Sequence, residues 1–169
     1  MKEIDIATQG IYREADGVRR VREKAMVYLS YSDHTVKSMY MKLSENGFDK
    51  DDIDEVIAYL CDRGYINETD YFERFCKHYA HKKGYGRRKI EALAYQKGFS
   101  KKTIRECADS VFSEMDFDEI CANQLEKLRP GDLTDKKVRD KITAALIRRG
   151  FSLSEIKSAI AEYKSAIAD

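Results

Sequence analysis

The sequence predicts an all-α fold of three tandem trihelical repeats, about nine helices forming an elongated, curved array. Three observations carry that prediction. First, a Gly-Phe pair recurs as Gly47-Phe48, Gly98-Phe99 and Gly150-Phe151, at spacings of 51 and 52 residues. Second, apolar positions travel with the pair. Met39, Ile90 and Ile142 lie eight residues before each glycine, and Ile53, Ile104 and Ile156 lie six after it. Ile57, Ala108 and Ile160 follow at ten, and Leu60, Val111 and Tyr163 at thirteen. Third, the chain is 43% hydrophobic and 36% charged with a single proline, Pro130, a composition that suits helices joined by short turns.

Each Gly-Phe pair marks a corner between two helices. Leu43, Ala94 and Leu146, four residues before the glycines, end one apolar stripe. Glycine after a helix closes the last turn in the left-handed conformation, and the following aromatic packs back on that turn. Ser100 and Ser152 then stand where a helix N-cap is needed, Asp49 takes the same place in the first copy, and Ser152-Leu153-Ser154-Glu155 has capping-box spacing.

Residues 1–16 lack helical periodicity and read as an N-terminal arm. The first repeat spans 17–66. Its first helix runs from near Gly17 to Tyr31 with Val18, Val21, Ala25 and Leu29 on one face. Ser32 caps a second helix carrying Val36, Met39 and Leu43. A third runs from about Asp49 to Arg63, where Asp51, Asp52 and Asp54 complement the positive end of the helix dipole. The second repeat spans 67–115. Asn67 caps a helix bearing Phe72, Phe75 and Tyr79 that ends near Lys83, Gly84-Tyr85-Gly86 turns the chain, and Arg87 starts the next helix. The last helix of this repeat runs from about Thr103 to Ser113. The third repeat spans 116–169, with a break at Arg129-Pro130-Gly131-Asp132, a cap at Thr134 and a final helix from Ser152 to about Ala166.

Chemistry is sparse. No nucleophile elbow, P-loop or zinc-protease helix occurs, and His78 and His81 at i, i+3 lack further ligands at metal-binding spacing. Solvated histidines are the expectation there, and His34 reads as exposed. Cys61, Cys76, Cys107 and Cys121 form no CxxC pair and read as buried free thiols. The sequence therefore predicts no catalytic site, no metal and no cofactor. No apolar run reaches membrane-spanning length and Met1-Lys2-Glu3-Ile4-Asp5 is not a signal segment, so a cytoplasmic protein without membrane contact is expected.

Charge is the informative feature. The formal net charge is only +1, yet Arg74–Arg105 holds eleven Lys or Arg against Glu91, and Glu106–Glu126 holds seven acids and no Lys or Arg. At the centre of the basic stretch, Lys82, Lys83, Tyr85, Arg87, Arg88 and Lys89 surround two turn glycines and a helix start. Cations there suit phosphates or an acidic protein surface, because the helix dipole adds to their potential. Arg148 and Arg149 sit beside Gly150 in the third repeat, and Arg19, Arg20 and Arg22 open the first. Binding, rather than a merely solvated face, is the reading of this cluster.

Three segments give the chain a family likeness. Leu60-Cys61-Asp62-Arg63-Gly64-Tyr65-Ile66-Asn67-Glu68-Thr69-Asp70-Tyr71-Phe72, Gly84-Tyr85-Gly86-Arg87-Arg88-Lys89-Ile90 and Ala145-Leu146-Ile147-Arg148-Arg149-Gly150-Phe151-Ser152 resemble the corresponding segments of the RecX family, bacterial regulators of the RecA recombinase. The likeness covers about residues 18–165. It departs at Ile66-Asn67-Glu68, where the family usually has Leu and Asp, and at Ala94, where a larger aliphatic is usual. The resemblance implies a non-enzymatic, elongated helical protein that lodges in the groove of the RecA–DNA filament; a monomer is expected. Bridging adjacent protomers, it would mostly inhibit strand exchange, ATP hydrolysis and co-protease activity, and so regulate DNA repair, recombination and the SOS response. Lys82, Lys83, Tyr85, Arg87, Arg88, Lys89, Arg148 and Arg149 are then the residues expected to contact RecA, or DNA phosphates within or beside the filament. The competing reading is a helical module that binds duplex or single-stranded DNA directly. That module would need one recognition helix, whereas these cations flank turns in more than one repeat.

Overall fold

A computed structural model describes the backbone of residues 3–167 and the side chains of residues 16–167. Among the described residues the fold is all-α, with nine α-helices: α1 (Glu3–Tyr31), α2 (Val36–Glu45), α3 (Lys50–Asp62), α4 (Glu68–Lys77), α5 (Arg87–Lys97), α6 (Lys101–Ser113), α7 (Phe117–Lys127), α8 (Lys136–Arg148) and α9 (Leu153–Ala166). A single π-helical turn, His78–Lys82, extends α4.

The recurring columns are the core. Met39, Leu43, Ile53, Leu60, Ile90, Ala94, Ile104, Ala108, Ile142, Leu146, Ile156 and Ile160 are all buried. The backbone at Gly47, Gly98 and Gly150 is left-handed, with φ of 78°, 97° and 95°. Gly150 N–H donates to Ile147 O (2.9 Å) and Phe151 N–H to Leu146 O (3.3 Å), the paired bonds that satisfy the last carbonyls of a helix closed by glycine.

The chain forms two compact units. The first comprises the residues up to Tyr71 together with Lys97–Ser100. Its core joins Val21 and Ala25 of α1, Met39 and Leu43 of α2, Ile53, Val56, Ile57 and Leu60 of α3, and Ile66, with Val18, Leu29 and Phe48 packed at the edge. The corner at Gly98 belongs here: Phe99 packs on Tyr71 with ring centroids 4.9 Å apart, and the Glu68 carboxylate accepts from Val36 N–H (2.9 Å) and Ser100 N–H (3.4 Å). One side chain thus satisfies the backbone at the start of two helices, and Glu68 itself opens a third. The second unit comprises Phe72–Gln96 and the residues from Lys101 onward. In it α7 packs on α9 and α8, and Phe72, Phe112 and Phe117 meet edge to face at 6.4 and 5.7 Å.

Several expectations need correction. Helix α1 begins at Glu3 rather than near Gly17, so residues 3–16 are not an irregular arm; Met1 and Lys2 lie outside the described residues. Once a helix exists each added residue costs little, and Glu, Ala, Gln and Arg favour it without any apolar stripe. Thr35, not Ser32, caps α2 in a capping box with Ser38, and Asp135, not Thr134, caps α8. Thr134 is instead drawn into a turn by Asp132, whose Oδ1 accepts from both its N–H (2.8 Å) and its hydroxyl (2.6 Å). Asp49 occupies the cap position of α3 without a side-chain bond. Ser152 and Asn67 cap as expected. His34 is buried, not exposed: its ring lies between the hydroxyls of Ser32 and Ser38 and near the Tyr28 ring. Cys76 and Cys121 are buried and Cys107 half-buried, but Cys61 is exposed because it faces away from the α3 stripe.

Candidate functional site

The basic turn lies in the second unit and is built in three steps. A π-helical turn carries one residue more than an α-helical turn would, and here it extends α4 toward Lys82 and Lys83. Gly84 then turns the chain at φ 64°, donating to Ala80 O (3.0 Å), while Tyr85 N–H donates to Tyr79 O (3.1 Å). The Tyr85 ring stacks on Tyr79 with centroids 6.0 Å apart and 12° between planes, and Tyr79 packs on Phe75 at 4.6 Å.

The next step brings two distant segments together. Gly86 N–H donates to Arg149 O (2.9 Å) and Arg88 N–H to Gly150 O (3.3 Å). The Arg149 guanidinium donates to Lys83 O (3.3 Å) across 66 residues of sequence. The backbones touch: a Cβ on Gly86 would sit 2.5 Å from the Gly150 carbonyl, and one on Gly150 would overlap Lys89. Two glycines are therefore needed where the start of α5 meets the end of α8. The clusters 82–89 and 148–149, separate in sequence, are neighbours in the fold.

The side chains divide by role. Lys82, Lys83, Arg88 and Arg148 are exposed, Lys89 and Arg149 half-buried, and no ion pair joins Lys82, Lys83, Arg88, Lys89 or Arg148 to another described residue. Arg87 differs. Its Nη2 donates to Asp109 (2.8 Å), its Nε to Glu91 (3.0 Å), and its guanidinium lies 5.0 Å from the centre of the Phe112 ring. The hydrogen bond that Arg87 donates to Asp109, then that to Glu91, raises the Arg87 pKa further above its usual range. Arg87 thus spends its donors tying α5 to α6, and that part of the expectation changes: it is a structural cation more than a free one. Tyr85 is half-buried in the aromatic stack.

Sequence reasoning found the cations but not the π-turn, the Gly86–Gly150 contact or the task of Arg87. A signal existed for the contact only: two glycines flanking Tyr85 where one would make the turn. His78 and His81 are exposed, and no group of three His, Cys, Asp or Glu among the described residues could hold a metal ion. No helix among the described residues is long and apolar enough to cross a membrane.

A family model for the first three-helix domain of RecX matches residues 22–60. A regulatory protein RecX of Listeria welshimeri is 26% identical over 151 residues, covering 89% of this chain and 56% of that protein. One from Streptococcus pneumoniae is 31% identical over 146 residues, covering 85% of this chain and 55% of its own length. The chain therefore spans little more than half of these relatives. The crystal structure of RecX from Lactobacillus salivarius superposes with a TM-score of 0.78 at 27% identity, covering 88% of this chain and 97% of that one.

Proposed function

The chain belongs to the RecX family of regulatory proteins, and from that premise we propose that it binds the RecA–DNA filament in the cytoplasm as a monomer. Bound there it modulates, and mostly inhibits, the recombinase, ATPase and co-protease activities of RecA, without an active site of its own. The organisation proposed for this role is three trihelical repeats at 17–66, 67–115 and 116–169, with filament contact centred on the basic turn. The observation that carries the reading is the juxtaposition of Lys82, Lys83, Arg88 and Lys89 with Arg148 and Arg149 through the Gly86–Gly150 contact. Unpaired cations gathered beside a helix N-terminus attract phosphates and acidic protein surfaces alike. Tyr85 and Arg87 contribute by holding that turn in place.

The test is RecA's single-strand-dependent ATP hydrolysis with the chain added substoichiometrically. Strong inhibition is expected, with marked relief in Arg88→Glu/Arg148→Glu. Those two positions are better probes than Arg87, whose reversal would set a carboxylate against Asp109 and Glu91. No effect on RecA, together with salt-sensitive binding to bare duplex, would overturn the proposal in favour of a DNA-binding module.

A further inference from the structure

A second surface in the same unit has a different character. Helices α8 and α9 leave between them a groove of about 390 Å³. Its floor is apolar: Ile156 and Ile160 are buried, and Leu153, at the first position of α9, is 55% exposed beside them. Its margin is charged, with Arg139, Lys157 and Lys164 facing Asp140. Over the first turns of α8 the imbalance is larger, since Lys136, Lys137, Arg139 and Lys141 stand against Asp140 alone. Lys136 falls on the groove-side stripe of α8, one turn before Asp140. Two of the cations are partly engaged. Arg139 reaches the carbonyls of Leu133 and Thr134 at 3.4 Å, and the Asp132 carboxyl, held low chiefly by the hydrogen bonds it accepts from Thr134, also feels the charge of Lys164. Lys157 has no such neighbour among the described residues.

From this combination we propose that the α8–α9 groove docks an acidic amphipathic segment of a partner protein, apolar side chains on Leu153 and Ile160 and carboxylates on Lys136, Lys157 and Lys164. An apolar trough flanked by cations selects such a segment on both counts. Leucines at i, i+3 and i+4 fill the floor, and the acids between them meet the margin. The same acids would be repelled by a groove of opposite sign, so charge also sets specificity. This surface does not depend on the filament reading and uses none of the residues assigned to the basic turn.

The test uses the full chain and two fluorescent peptides. Both carry leucines at helical spacing, one with Glu and Asp between them and the other with Lys. By anisotropy the acidic peptide is expected to bind saturably and the basic one not to bind. Lys157→Glu/Lys164→Glu should weaken the acidic peptide roughly tenfold or more, while Arg88→Glu/Arg148→Glu leaves it unchanged. Leu153→Asn, a substitution at an exposed helix start, should also weaken binding, and circular dichroism melts check that each variant folds. Absence of binding by the wild type, or equal binding by wild type and Lys157→Glu/Lys164→Glu, overturns the proposal. So does binding to phosphatidylglycerol vesicles, lost in the same variant, with none to the acidic peptide, which would make the groove a lipid-surface contact.

Discussion

The corners at Gly47 and Gly150 share a leucine four residues back and the Gly-Phe pair, yet their surroundings differ. Gly47 is left-handed in open space, with nothing within 4 Å of a Cβ placed on it. Gly150 is left-handed against the backbone of Gly86 and Lys89. At the first corner glycine answers only a local demand, the conformation that closes α2. At the third it answers two demands, because a second segment of backbone occupies the side-chain space. Gly98 is intermediate, with the Thr35 hydroxyl 3.1 Å from where its Cβ would lie. A sequence repeat thus preserves the corner while each copy is put to separate use.

The sharpest way to break that comparison is to add one carbon. Gly150→Ala should cost about 3 kcal/mol or more in urea unfolding, since left-handed strain adds to backbone overlap. Gly47→Ala should cost about 1–2 kcal/mol, the strain alone. Equal losses at the two corners would contradict the account. The caps that follow the corners give a smaller contrast. Ser152 accepts from Glu155 N–H (3.3 Å) while the Glu155 carboxylate accepts from Ser152 N–H (2.6 Å), so Ser152→Ala should cost about 1 kcal/mol. Asp49 makes no side-chain cap bond, and Asp49→Ala should cost no more than a few tenths, the value of a charge near a helix N-terminus.

The second corner adds a pH dependence. His34 sits beside Thr35, whose hydroxyl reaches Lys97 O (3.4 Å). Burial lowers the His34 pKa below 6.5, and the charges of Lys42 and Lys97 lower it further, against weaker opposing effects of a backbone hydrogen bond at Tyr28 and the charge of Asp33. The unfolded chain takes up this proton more readily, so stability is greatest above about pH 6.5 and falls as pH drops through the folded value. His34→Gln should flatten that slope in melts between neutral and mildly acidic pH. Thiol reactivity gives the smallest test. Burial pushes Cys76 and Cys121 up to about 12, so at mildly alkaline pH they should react only on unfolding, after exposed Cys61.

The legible and illegible parts of the fold separate along the same line. Whatever depends on local spacing could be read. Met39, Ile90 and Ile142 share a column because a helix of 3.6 residues per turn must bury one face, and all three are buried. The extension of α1 back to Glu3 could not be read, since residues that favour a helix can continue one without an apolar stripe. Ser32 and Thr35 are both competent caps, and the choice between them rests on tertiary contacts to Lys97 and Glu68. At the candidate site the cations were plain in the sequence. What arranges them was not: Gly86 against Gly150 is a contact between distant segments, and Arg87 looks like its neighbours until Asp109 and Phe112 are beside it.

The most direct measurement of the central claim, that the two basic clusters act as one filament-binding surface, is the salt dependence of binding. The labelled chain would be titrated onto RecA filaments formed on single-stranded DNA, beside Arg88→Glu/Arg148→Glu. The account predicts binding that weakens with salt in the wild type, and in the variant an affinity lower by roughly tenfold or more with a flatter salt slope, by about one per lost phosphate contact. Unchanged affinity and slope in a folded variant would contradict it.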